Sequence, residues 1–243
     1  MNRVIIIIIG VVTYTFGLGV LLYMVGWLYP WDFMPTTIDN PLIEITKDRF
    51  GAFLIDSLLV LLFGLQHSVM VRESFKRVIS KCIKEPFTRA FYTIISSLFL
   101  GLIIIFWQPI NIVVWQFEGF GVYITLGLYI LGWSIAVIST FLIDHFELFG
   151  VHQIYRYITN TPEPKSEFTE RGFYRYVRHP IQSSTLVGMW ATPYMSMGHL
   201  LFSLLFTLYV AIGLYFEERD LTKSLTEYLE YKKRVPMLFP KLW

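Results

Sequence analysis

The sequence predicts an all-α protein: a multi-pass transmembrane helical bundle of four spans plus a C-terminal helical hairpin, with a cytosolic C-terminal tail. Three observations carry this expectation. Of 243 residues, 55% are hydrophobic and only 16% are charged, against about 25% charged in ordinary soluble domains. The apolar residues fall into long blocks, each near or above the ~20 needed to cross a bilayer. Lys and Arg gather in alternate connecting segments, which is the bias that orients membrane proteins.

The first block, Val4–Leu28, begins VIIIIIGVV. It is too long for a signal-peptide core and no small-residue cleavage pattern follows, so it reads as a retained membrane helix. Gly10, Gly17 and Gly26 within it read as helix-packing positions. Trp27, Tyr29 and Trp31 at its end fit an interfacial belt. Further spans are expected at about 50–71, 90–107 and 121–143. The last apolar block, about 180–216, is interrupted by WATPYMSMGH, so two helices joined by a tight turn are expected. TNTPEPKSEFTE (159–170) is polar and proline-bearing and reads as a loop.

Topology follows from the basic residues. The 72–89 segment holds six Lys/Arg, the 144–179 segment five and the 217–243 tail six, whereas 108–120 holds none. Both termini and the large 144–179 loop are therefore expected in the cytoplasm. No repeat, low-complexity linker or soluble domain interrupts the chain, so residues 1–243 read as one membrane domain. A net charge of +2 gives no footprint for nucleic acid. Cys82 stands alone, so no intramolecular disulfide is possible.

The topology also sets depth. His67, Asp144 and His145, Arg178 and His179, and Glu217 and Glu218 all fall at the expected cytosolic ends of spans. Ionisable groups bordering a membrane usually face a partner or a cavity, with interfacial snorkelling as the plain alternative. Glu217 and Glu218 lie about 100° apart on a helix, so they cannot do the same job. One is expected to accept hydrogen bonds from vicinal hydroxyls while the other orients Arg178 or Arg219. His179 with Pro180 gives a fixed helix start and an imidazole donor; Tyr174, Tyr176 and Trp190 offer faces for a base or a cation. Metal binding is the runner-up, disfavoured because neither HExxH nor CxxC occurs. Asp56, eleven residues before His67 and able to share its helix face, reads as a structural hydrogen bond rather than a catalytic group. His199 falls at the far end of the hairpin, where turn capping is expected.

YRYVRHPIQSS (174–184), EERDL (217–221) and YKKRVPMLFP (231–240) resemble the C-terminal region of the isoprenylcysteine carboxyl methyltransferase superfamily of integral-membrane enzymes. FGLQHSVMVRESFKR (63–77), FLIDHFELFG (141–150) and WATPYMSMGHLLF (190–202) narrow the resemblance to the methanethiol S-methyltransferase family. The resemblance implies S-adenosyl-L-methionine as methyl donor, bound at the cytosolic face by about residues 144–243. It places Arg178, His179, Pro180, Glu217, Glu218, Tyr231 and Arg234 on the cofactor, with Pro236 and Pro240 in a closing tail. It leaves His67, Asp144 and His145 to bind or deprotonate a small thiol, an Asp144–His67 pair orienting the imidazole. Gln182 and Ser184 depart from the Tyr and Gly of the superfamily's wider pattern. A prenylated or lipid acceptor, or a non-catalytic haem-handling membrane protein, are the competing expectations.

Overall fold

The structure is a computed structural model, and it describes residues 3–164, 170–224 and 226–240. Residues 165–169 of the expected 159–170 loop lie outside them. The chain forms two compact units. Five of its helices are long and apolar enough to cross a membrane, and the protein is an integral, multi-pass α-helical bundle.

The first unit comprises residues 1–112, 145–164 and 196–202. It contains α1 (Arg3–Trp27), α2 (Arg49–Val71), α3 (Glu73–Ile79), α4 (Glu85–Phe106), α6 (His145–Leu148) and α7 (Val151–Thr159). Asp48 caps α2, its carboxylate accepting from the Gly51 amide at 2.7 Å, the usual way of satisfying a helix's first free N–H groups. α4 begins five residues before its apolar run because Pro86 seeds the first turn. Small residues let the helices approach: a Cβ on Gly17 would lie 2.8 Å from Thr93 Cγ2 on α4, and one on Gly10 would lie 3.3 Å from Ile154 on α7. Gly26 instead faces the flexible Met34 side chain, so it is not a helix-packing position.

At the far end of this unit Trp27, Trp107 and Phe202 pack edge to face, with ring centroids 5.4–6.0 Å apart. Trp27 and Tyr29 are buried, which corrects the expectation of an interfacial belt: here the aromatics form the core. Asp56 meets its structural expectation. Its Oδ1 accepts from the Gln108 amide at 2.8 Å, just past the end of α4. The Gln108 side chain then accepts from the Ile45 and Thr46 amides and donates to the Ile43 and Phe106 carbonyls. One buried amide thus ties an irregular segment to two helices, as buried backbone groups require. His199 is buried, but the cap at this turn is Ser196, whose Oγ accepts from the His199 amide at 3.0 Å.

The second unit comprises residues 113–144, 165–195 and 203–243. It holds β1 (Val113–Gln116), α5 (Phe120–Ile143), a 3₁₀ turn (Gly172–Arg175), α8 (Pro180–Trp190), most of α9 (Met197–Ser224) and α10 (Thr226–Arg234). β1 pairs with β2 (Tyr194–Ser196) in a two-stranded sheet. The expected hairpin is present but uneven. α8 has 11 residues, about 16 Å of helix, roughly half the hydrocarbon thickness. It stops because Thr192 precedes Pro193, and a residue before proline avoids helical geometry. The chain continues without helix to β2, and the Thr192 and Pro193 carbonyls accept from Trp115 Nε1 and the Phe117 amide. α9, with 28 residues, is about 42 Å long and carries its polar EERDL segment beyond its apolar stretch.

α5 and α8 are in backbone contact. A Cβ on Gly132 would lie 2.7 Å from the Gly188 amide nitrogen and 2.8 Å from the Ser184 carbonyl oxygen. Gly132→Ala is therefore expected to destabilise the second unit by about 1–3 kcal/mol through overpacking. Gly127→Ala on the same helix, where a Cβ meets nothing within 4 Å, should be neutral or slightly stabilising. Thermal unfolding of both variants in detergent checks the contrast.

Candidate active site

Arg178 and His179 sit at the N-terminal end of α8, where helix amides lack internal partners. The tail supplies them: the Arg178 amide donates to the Pro236 carbonyl at 2.9 Å and the His179 amide to Met237 at 3.1 Å. Ser183 Oγ donates to Leu238. Residues 235–238 are thereby laid across the start of α8.

The side chains converge on one carboxylate. Arg178 makes a bidentate pair with Glu218, Nε to Oε1 at 2.7 Å and a terminal nitrogen to Oε2 at 2.9 Å. The remaining terminal nitrogen donates to the Lys232 and Val235 carbonyls. His179 Nε2 lies 2.9 Å from Glu218 Oε1, the Tyr228 hydroxyl donates to that oxygen at 2.8 Å, and Lys232 Nζ lies 2.9 Å from Oε2. The Arg178 and Glu218 side chains are 7% and 6% exposed. Such a charge is tolerated in the interior only when fully hydrogen-bonded. Burial, and then the bond to Glu218, raise the Tyr228 phenol above its usual range, so it stays protonated and donating. Tyr231 donates to the Tyr174 carbonyl, and burial followed by the charge of Glu170 pushes its phenol up to about 12.

The neighbouring glutamate is different. Glu217 is 49% exposed and its Oε1 lies 4.0 Å from His179 Nδ1. His179 thus stands between a saturated carboxylate and a half-exposed one. Of the pair, Glu218 is bonded to Arg178 and Glu217 is half exposed. Arg234, 60% exposed, pairs with Glu170 at 2.7 Å rather than with the cluster. Trp190 is held through Nε1 by Thr207 Oγ1 at 3.1 Å, Tyr174 is buried, and Tyr176 is exposed. Pro180 is the first residue of α8. Ser184 turns its hydroxyl back onto the Pro180 carbonyl, and its own carbonyl oxygen faces Gly132.

The thiol-side candidates divide between the units. His67 and His145 belong to the first unit; Asp144 closes α5 in the second with an extended backbone, φ −172°. Each histidine meets a tyrosine. The Tyr92 hydroxyl lies 2.7 Å from His67 Nε2 and 3.1 Å from Nδ1, and the Tyr14 hydroxyl lies 3.1 Å from His145 Nε2. The DHFELFG block owes its form to Gly150, in left-handed geometry at φ +84°, where a Cβ would lie 2.9 Å from the Ala90 amide nitrogen. Arg89 Nε donates to the Leu148 carbonyl from the α4 side.

Among known proteins, the chain is 38% identical to a methanethiol S-methyltransferase of Crocosphaera subtropica over 99% of this chain and 93% of that one. It is 40% identical to methanethiol S-methyltransferase 2 of Bradyrhizobium diazoefficiens, over 91% and 86%. The chain belongs to the methanethiol S-methyltransferase family. A third member, from Mycobacterium tuberculosis, is 36% identical over 99% and 98% of the two chains. No family model and no solved structure matches the chain. Membership makes this a methyltransferase with a methyl donor, and the non-catalytic expectation falls.

Sequence reasoning missed Tyr228, Lys232, Tyr14 and Tyr92. For Tyr228 a signal existed: Tyr228, Tyr231 and Val235 recur at helical spacing and form a buried stripe along α10 and just past its end. Glu218→Ala would strand Arg178 in the interior, and should cost about 3–5 kcal/mol and expose residues 226–240 to protease. Lys232→Ala, removing a half-exposed partner, should cost under about 1 kcal/mol. Unfolding curves with limited proteolysis separate the two.

Proposed function

We propose that the protein transfers a methyl group from S-adenosyl-L-methionine to methanethiol, releasing dimethyl sulfide. The observation that carries this reading is the paired glutamate with its two environments: a closed Arg178–His179–Glu218 cluster beside the open carboxylate of Glu217. The names of the relatives support the acceptor. The donor fits the residues present. Glu217 has the geometry to accept from vicinal ribose hydroxyls, and the tail over α8 to hold the nucleoside against solvent. Tyr231 acts by anchoring the tail, and Arg234 by fixing it through Glu170.

When bound, S-adenosylmethionine supplies an electrophilic methyl carbon on a sulfonium. Attack by a thiolate, the competent form of the nucleophile, destroys two opposite charges, so a site poor in water favours it. His67, Asp144 and His145 are assigned to the thiol. A small neutral thiol reaches the protein from the bilayer and the charged donor from the cytosol. The distribution of Lys and Arg supports a cytosolic site and cytosolic termini in a bacterial inner membrane, and residues 1–243 act as one functional domain.

Headspace gas chromatography of purified protein given methanethiol and labelled donor should detect labelled dimethyl sulfide; its absence from folded, donor-binding protein overturns the acceptor. Glu217→Gln should weaken donor binding about tenfold or more, the weight of one charged hydrogen bond, with unchanged unfolding temperature. Calorimetry showing unaltered affinity would remove Glu217 from the donor site.

A further inference from the structure

The first unit holds a half-open cavity of about 330 Å³ that the assignments above leave unused. Met70, Val71 and Phe75 line it from α2 and α3, and Arg89, Phe91 and Tyr92 from α4. Its size is at the lower end of small-molecule pockets, ~300–1,000 Å³. Four lining residues, Met70, Phe75, Ile79 and Phe91, are shared with a second hollow of about 410 Å³ whose other walls are Leu65, Gln66, Val69 and Ile95. Leu65 and Val69 are exposed on the apolar flank of α2. An apolar vestibule on the lipid-facing surface of a spanning helix therefore shares its walls with a more polar chamber.

The chamber has groups in need of a partner. Thr88 Oγ1 and Gln153 Oε1 both belong to residues that line it, and both are buried with no hydrogen-bond partner. Buried polar atoms are normally paired, and two orphans in one cavity mark a place for a polar ligand atom. Tyr92 lines the chamber and its hydroxyl lies 2.7 Å from His67 Nε2, while His67 itself is not among the lining residues. The charged groups of the lining are Lys76, Arg89, Glu147 and Glu163, two of each sign, and Arg89 is the cation placed at Tyr92, its guanidinium carbon 5.1 Å from the ring centre.

We propose that this chamber binds the acceptor thiol and that Tyr92 is a catalytic residue that passes the thiol proton to His67. The inference rests on the reading of His67 as a thiol-side group. The S–H proton moves to the Tyr92 oxygen as the phenolic proton moves to His67 Nε2, leaving tyrosine unchanged and His67 as imidazolium. The pair left on sulfur forms the new S–C bond to the methyl carbon. The donor's S–CH₃ bond breaks with its pair retained on the donor sulfur, and His67 returns its proton to water. Arg89 holds the thiolate by charge, and the apolar vestibule admits the neutral thiol and excludes ions.

The test compares His67→Ala, Tyr92→Phe, their double variant and Phe75→Trp in full-length purified protein, with methanethiol as varied substrate and donor affinity as the fold control. Tyr92→Phe is expected to lower kcat about 100-fold, in the range for positioned proton transfer, with donor affinity unchanged. Its activity should recover as pH rises and the thiol ionises unaided. The double variant should be no slower than the slower single one, since both belong to one relay. Phe75→Trp, which fills the chamber, should raise KM for the thiol about tenfold at unchanged donor affinity. Full activity in His67→Ala would sink the thiol-side reading itself. An inactive His67→Ala beside a wild-type Tyr92→Phe would overturn the relay alone, and an unmoved KM in Phe75→Trp would overturn the chamber as the thiol site.

Discussion

A single carboxylate, Glu218, sets the order of the second unit. It receives both edges of the Arg178 guanidinium, the His179 imidazole, the Tyr228 hydroxyl and the Lys232 ammonium. These partners come from the start of α8 and from α10, so one charge fixes an element break, a helix start and the tail. A buried ion pair rarely adds much net stability over a hydrophobic replacement, but breaking one is expensive. The cluster is better understood as specifying one arrangement than as adding cohesion. It also explains how adjacent glutamates differ: the one facing the cluster is saturated, and the one turned a helical step away remains open.

The first unit meets the same demand with one side-chain amide and one carboxylate. Gln108 and Asp56 satisfy amides and carbonyls of an irregular stretch that would otherwise lie unpaired beside a spanning helix. Elsewhere packing depends on small residues, because lipid offers no less contact than a neighbouring helix does. Gly17 against Thr93, and Gly132 against the α8 backbone, are two points where helices touch closely.

Hydropathy and the basic residues located the long spans well, since both report on solvent rather than on partners. Val4–Leu28 is Arg3–Trp27 in the structure, and 121–143 is Phe120–Ile143. What they missed depends on contacts between distant segments. α4 begins early because a proline favours its first turn among charged residues. The first arm of the hairpin is half helix because Pro193 stops it and a strand at 113–116 accepts the remainder. α3 and α7 are too short and polar to register. At the site, Arg178, His179 and the glutamates were legible as costly charges beside apolar runs. Tyr14 and Tyr92 were not, because a tyrosine in a membrane helix is unremarkable until a histidine on another helix is seen against it. Trp27 misled for the opposite reason: its position fitted a surface belt, but its ring fills the core.

The tail that crosses the start of α8 has a consequence for biogenesis. Translation and insertion proceed from the N-terminus, so Arg178 and Glu218 leave the ribosome before Tyr228, Lys232 and the Pro236 and Met237 carbonyls exist as partners. The last spanning helix is therefore inserted with its carboxylate and the α8 amides only partly satisfied. Closure of the second unit is a post-insertion event, completed only once residues 226–240 have been synthesised.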